Sequence, residues 1–115
     1  MKFIQSLQFA IRGIITFLRN ERNGPIQLVA AIIVVTLGLV FQIGAMEWLV
    51  VVLCITVVLT LEMINTAIEK LCDVVQPDYH PQIKIIKDIA AGAVLIAALG
   101  SVIAGAIIFV PKIFS

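Results

Sequence analysis

The chain has 115 residues, 62% of them hydrophobic and 13% charged, with a mean hydropathy of +1.17; the apolar share lies well above the roughly 45–50% of a soluble domain. A single domain this short buries only about 60–70% of what its unfolded chain exposes, so a water-soluble globule is excluded and the remaining solvent is lipid. Eight Lys+Arg against seven Asp+Glu leave a formal charge of +1, which lacks the basic footprint that nucleic acid requires. Cys54 and Cys72 lie in apolar stretches without a Cys-x-x-Cys or a flanking His, so neither a disulfide framework nor a zinc site is indicated.

Residues 2–20 place Phe3, Leu7, Ile11, Ile14 and Leu18 at helical spacing, with Lys2, Gln5, Arg12, Thr16 and Arg19 on another face. That pattern predicts an interfacial helix over residues 1–22. A cleaved signal peptide is the competing reading, but the segment is amphipathic and no small-x-small site precedes the next charges. A bilayer core about 30 Å thick needs ~20 helical residues, and the uncharged run from Asn23 to Met46 predicts a first span over 24–46. Trp48 to Leu61 is also uncharged, and helical composition continues through Glu62-Met-Ile-Asn-Thr-Ala-Ile-Glu69, which predicts a second span over 48–75 with acidic residues at one end. Pro77 and Pro81 stop it. The uncharged run from Ile89 to Pro111 predicts a third span over 86–111. The expected fold is therefore a single all-α membrane domain over 1–115, a surface helix followed by three membrane helices.

Lys2, Arg12, Arg19 and Arg22 precede the first span and Lys70, Lys84 and Lys87 flank the second connection, whereas Gln42 to Glu47 has no Lys or Arg. Positive-inside counting then puts the N-terminus and residues 73–88 in the cytoplasm, and the first turn and the C-terminus outside. Trp48 suits an aromatic belt at the outer edge.

Polar chemistry gathers on the second membrane helix. At 100° per residue, Glu62, Asn65, Thr66, Glu69 and Asp73 fall at about 0°, −60°, +40°, −20° and +20°, one stripe over three turns. A charge near the hydrocarbon costs roughly 2.5–3.5 kcal/mol on insertion scales and normally faces a bundle interior with a partner. Glu62 lies deeper than any counter-charge on its own helix and reads as a functional carboxylate. Two readings stand for Glu69 and Asp73: members of the same site, or solvated charges neutralised by Lys70 or Lys84. Asn65 is either a site residue or polar glue between helices. Carboxylates at this spacing beside lysines resemble an oxygen-ligand Mg2+ site completed by substrate phosphates, which points to a nucleotide. Lys87-Asp88 adds a cation and a further carboxylate, and Arg19-x-Glu21-Arg22 a second mixed-charge cluster, at the same membrane face.

No Gly-x-x-x-x-Gly-Lys-Ser/Thr and no Gly-x-Gly-x-x-Gly occurs, so a P-loop or protein-kinase site is excluded. His80 is the single histidine, which rules out a His-based metal triad within one chain and otherwise reads as a loop residue beside prolines. The third span is dense in small residues such as Ala90, Gly92, Ala97, Gly100 and Gly105, which let helices approach closely. Three helices have too little interior for a nucleotide and a lipid, so a homo-oligomer with sites between subunits is expected.

The run Glu62-Met-Ile-Asn-Thr-Ala-Ile-Glu69-Lys-Leu-Cys-Asp73, followed by Tyr79-His80 and Lys87-Asp88-x-Ala-Ala-Gly-Ala-Val, with Arg12-Gly13 and Asn20-Glu21 near the start, resembles the small prokaryotic diacylglycerol kinase family. That family comprises integral-membrane lipid kinases and includes undecaprenol kinases. The resemblance spans essentially the whole chain. It implies a multi-pass homotrimer of the bacterial cytoplasmic membrane that uses ATP and Mg2+ to phosphorylate a lipid alcohol, diacylglycerol or undecaprenol, by direct in-line transfer. It further implies Glu62 as general base, Glu21 and Glu69 as holders of Mg2+ with ATP, and Asn65, Asp73, Lys87 and Asp88 as nucleotide contacts, with Asp78 and His80 close by. Arg12, Glu62 and Asn65 would meet the lipid substrate. Ala10 stands where some members have a polar residue, and the Ala90-Ala91-Gly92 order differs from the enterobacterial type. Glu21-Arg22-Asn23 and Asp78-Tyr79-His80-Pro81 look more like the undecaprenol kinase branch.

Two other classes compete on residue chemistry alone. Glu62 suits a proton- or ion-coupled transporter, although no discontinuous helix near the midplane is signalled. A structural or pore-forming oligomer is the third.

Overall fold

A computed structural model describes residues 1–115 as four helices in the order α1 (Lys2–Asn20), α2 (Asn23–Val40), α3 (Ala45–Val75) and α4 (Pro81–Ile113). Three of them, α2, α3 and α4, are long and apolar enough to cross a membrane. The two long uncharged runs that flank the acidic segment are thus helices, and the acidic segment itself continues α3 without a break.

Each boundary has a local cause. α1 ends where Glu21 turns extended, its N–H still bonded to the Phe17 carbonyl. Pro25 sits in the first turn of α2, where its missing N–H leaves no helical bond unmade. α2 stops at Val40, before the apolar run is exhausted, because Gln42 adopts a left-handed conformation with φ 52°. The Gln42 N–H then reaches the Leu39 carbonyl at 3.3 Å and the Ile43 N–H the Gly38 carbonyl at 3.1 Å, the paired bonds of a Schellman stop. Glu47 opens α3 by accepting the Gly44 N–H at 3.0 Å. His80 opens α4, its Nδ1 accepting the Gln82 N–H at 3.1 Å ahead of Pro81 at the first helical position.

α3 is the central helix. α4 packs along it, α2 meets it over a shorter stretch, and α1 folds against the start of α2. The α1–α2 elbow is a backbone-on-backbone contact: Phe17 is buried, and a β-carbon on Gly24 would overlap the Phe17 carbonyl and approach the Leu18 Cα. The apolar core lies at the opposite end, where Ile43, Val51, Ile108 and Phe109 pack with Val34, Phe41 and Trp48 around them. Lys112 and Glu47 close that end at 2.8 Å. The Trp48 ring lies across Gly38, within 2.6 Å of where a β-carbon would stand, so Trp48 fills an internal gap as well as marking a helix end.

Only 11 of 115 residues are buried. The accessible surface of 8367 Å² exceeds the about 6,200 Å² of a compact monomer of this mass. The radius of gyration, 17.1 Å, exceeds the about 13 Å of a globule of this length. Ile32, Ile33, Leu95, Ile96, Ile103 and Ile107 all stand exposed, a surface suited to lipid and unsuited to water.

Candidate active site at the polar end of the bundle

α3 is 31 residues long, about 46 Å at the helical rise, and Glu62 lies about 26 Å from its first residue. The helix therefore outruns a hydrocarbon core of about 30 Å, and its polar stripe starts near the edge of that layer. Glu62 and Asn65 are 7% and 6% exposed, while Glu69 and Asp73, further along, are exposed.

Burial of Glu62 is made tolerable by α2. Asn23 Nδ2 donates to Glu62 Oε2 at 3.2 Å and Gln27 Nε2 donates to Glu62 Oε1 at 3.3 Å. One residue along the stripe, Asn65 Nδ2 donates to Glu69 Oε1 at 3.1 Å on the same helix. Asn65 Oδ1 is buried and has no hydrogen-bond partner, an omission that costs about 1–3 kcal/mol in a protein interior. Asn65 thus makes its one polar side-chain bond within α3 and none to another helix of the same chain.

The lysines take partners other than those proposed for them by proximity in sequence. Lys70 reaches back to Glu21 in the α1–α2 connection at 3.1 Å. Lys84 pairs with Asp88 one turn along α4 at 2.6 Å, and Lys87 crosses to Asp73 on α3 at 2.6 Å. Neither Lys70 nor Lys84 neutralises Glu69 or Asp73. The hydrogen bond and charge of Asp88 hold the Lys84 ammonium above its ordinary value; Lys84 lies before the apolar run of α4.

Glu62, Asn65, Glu69 and Asp73 lie along one end of α3, to which Lys70 ties Glu21 of the α1–α2 connection and Asp73 ties Lys87 of α4, in separate pairs. Asp78, His80, Lys84 and Lys87 share a cleft of about 300 Å³ at the α3–α4 connection, so Lys87 joins that cleft to Asp73. Arg12 stands apart. Its guanidinium lies 5.8 Å over the Phe9 ring on α1, and no hydrogen bond or ion pair brings it to Glu62. His80 is engaged as the α4 cap. Asn23 and Gln27 were passed over by sequence reasoning, although two amides four residues apart at the start of an otherwise apolar helix are a readable signal of a polar face.

The donor set bears on a cation. Glu21, Glu62, Asn65 and Glu69 offer only oxygen, with one buried amide oxygen unpartnered. No group of three or more His, Cys, Asp or Glu side chains forms a cage. One or two carboxylates assisted by other oxygens are the usual protein share of a Mg2+ site, and Glu69 bonded to Asn65, with its unpartnered oxygen, is a donor set of that type.

An apolar groove of about 300 Å³ runs between α2, α3 and α4, lined by residues including Ala30, Val34, Val58, Leu59 and Ala98, with Gln27 among its lining residues. It therefore meets the polar cluster at the side chain that touches Glu62.

A model of the family described as prokaryotic diacylglycerol kinase matches residues 8–109. The chain is 39% identical over 112 residues to an undecaprenol kinase of Bacillus subtilis, covering 97% of this chain and 91% of that protein. It is 35% identical over 111 residues to a diacylglycerol kinase of a Synechocystis species, covering 96% of this chain and 63% of that protein.

Proposed function

The chain belongs to the prokaryotic diacylglycerol kinase family and is a multi-pass membrane lipid kinase, and on that premise we propose that it moves the γ-phosphoryl group of ATP onto the hydroxyl of a polyprenol of the undecaprenol type, with Glu62 as general base. The carrying observation is a carboxylate 7% exposed, free of any ion pair, at the point where an apolar groove meets the polar cluster. Membership in a lipid kinase family sets aside the transporter and pore readings.

An alcohol is a poor nucleophile until its proton has somewhere to go. Glu62 accepts that proton as the alcohol oxygen bonds to the γ-phosphorus, while the bond from that phosphorus to the bridging oxygen breaks and ADP leaves. The hydrocarbon chain of the acceptor lies in lipid and along the groove, which delivers the hydroxyl at the depth of Glu62. Glu21 and Glu69 would hold Mg2+, and Asn65, which bonds Glu69, carries an unpartnered oxygen. When bound, the ion spreads the negative charge of the phosphates. Lys87 and Asp73, together with Asp78, His80 and Asp88, frame the nucleotide on the water side.

The excess of Lys and Arg before α2 and around the α3–α4 connection supports a cytoplasmic site and N-terminus. α1, with Phe3, Leu7, Ile11 and Ile14 exposed, lies in the membrane surface. Homotrimer formation covers part of the apolar surface that a single chain leaves open. Preference for a polyprenol over diacylglycerol draws on the greater identity and coverage against the undecaprenol kinase.

The test is transfer of labelled γ-phosphate from ATP by the detergent-purified protein to undecaprenol and diacylglycerol in parallel, with Glu62→Gln as control. Transfer to undecaprenol at the higher rate, lost in the variant, is the expected result. Equal transfer by Glu62→Gln refutes the base, and faster transfer to diacylglycerol refutes the acceptor.

A further inference from the structure

Glu62 is held by neutral amides alone. Asn23 and Gln27, one turn apart on α2, each donate to a different oxygen of the carboxylate, at 3.2 and 3.3 Å. Two donors from one rigid helix fix the plane of a side chain that otherwise turns about three torsions. An ionised carboxylate has about four lone-pair positions, so this hold leaves acceptor capacity on both oxygens. A lysine in the same place would bond the anion about twice as strongly and oppose the arrival of a proton. Amides fix the group without taking its role away.

The donors are themselves located by packing. Asn23 adjoins Gly24, whose lack of a side chain lets α2 lie against the backbone of Phe17 and Leu18, and the Gly24 N–H bonds the Glu21 carbonyl at 3.2 Å. Gln27 lines the apolar groove, so its amide stands between the hydrocarbon path and the carboxylate.

We propose that Asn23 and Gln27 are positioning residues of the phosphoryl transfer, an amide clamp that aims the Glu62 carboxylate at the acceptor hydroxyl. The proposal rests on the reading of Glu62 as base. Both amides bond Glu62 and neither bonds Glu21 or Glu69, so loss of the clamp slows turnover and leaves ATP recognition intact. A purely structural bond between α2 and α3 would lower stability without that division.

The experiment uses the full chain in detergent or nanodiscs, with kcat and KM for the lipid alcohol and for Mg·ATP, and a thermal midpoint for each variant. Asn23→Leu and Gln27→Met remove the donors at nearly constant size; Gln27→His keeps an N–H donor. Each donor-free variant is expected to lose roughly 10- to 100-fold in kcat, the cost of a misaimed catalytic group, with KM for Mg·ATP within about twofold of the original. Gln27→His is expected to restore most of the loss. Gln27→Met preserves length and flexibility and carries the test by itself if Asn23→Leu does not fold. Unchanged kcat in folded donor-free variants overturns the clamp, as does an equal loss in Gln27→His. Wild-type turnover by Glu62→Gln instead overturns the base reading, and is read on a separate variant.

Discussion

The Lys70 ammonium lies 3.1 Å from the Glu21 carboxylate and joins α3 to the α1–α2 connection. Glu21 is also a residue proposed to hold Mg2+, so the lysine occupies a charge that the ion must share. The pair is exposed on the lysine side, at 64%, and pairs of that kind contribute about 0.2–1 kcal/mol. Lys70→Gln should therefore lower the Mg2+ concentration for half-maximal activity by roughly 1.5- to 5-fold. Glu69→Gln should raise it, because an oxygen charge is lost from the same site. A Mg2+ titration of kcat at saturating ATP reads both; unchanged Mg2+ dependence in Glu69→Gln removes that residue from the metal site.

Gly24 is a steric requirement of the α1–α2 elbow. Gly24→Ala should cost about 1–3 kcal/mol, the usual range for overpacking, and should depress kcat as well because Asn23 adjoins the displaced turn. A β-carbon at Gly13 on α1 would meet nothing within 4 Å, so Gly13→Ala should raise stability by about 0.5–1 kcal/mol. Thermal midpoints of the two variants moving in the same direction would contradict this picture.

Gln42 occupies a left-handed position at φ 52°, a conformation that costs residues with a side chain roughly 1–2 kcal/mol. Gln42→Gly removes that strain and adds unfolded-state entropy, for a net gain of about 0.5–1 kcal/mol. A rise in thermal midpoint with unchanged kcat is expected, since the turn lies at the end away from Glu62.

Glu47 precedes the apolar run of α3. Its hydrogen bond from Lys112, and then that from the Gly44 N–H, hold its carboxyl below the ordinary value of 4.5. A depressed folded-state value means that the stabilisation is complete above the unfolded value and disappears as pH falls through the folded one. The stability difference between the original chain and Glu47→Gln should accordingly be constant at neutral pH and disappear as pH falls below 4.5 and on through the depressed folded-state value. A difference that grew toward low pH would reverse the sign and exclude the bond as its source.

Periodicity and hydropathy are local properties, and what they imply was legible without coordinates. The lengths of the apolar runs require three membrane-capable helices, and the 100° advance per residue puts Glu62, Asn65, Glu69 and Asp73 on one stripe of α3. The long motif through that stripe identifies the kinase family. Partner choice was a different matter. Lys70 lies next to Glu69 in sequence yet bonds Glu21, and Lys84 bonds Asp88 while Lys87 reaches Asp73. Glu62 finds its donors 35 and 39 residues upstream. Such pairings depend on the angle of the α1–α2 elbow and on how α2 and α4 lie against α3, which side-chain packing between distant segments decides. The sequence by itself determined that a lipid-facing helical kinase carries a stripe of carboxylates on α3, running from the apolar run toward the connection with α4. Only the tertiary structure decided that two amides of α2 hold the deepest of them, because hydrogen bonds at about 3 Å require two helices to be placed, and helix placement is a long-range outcome.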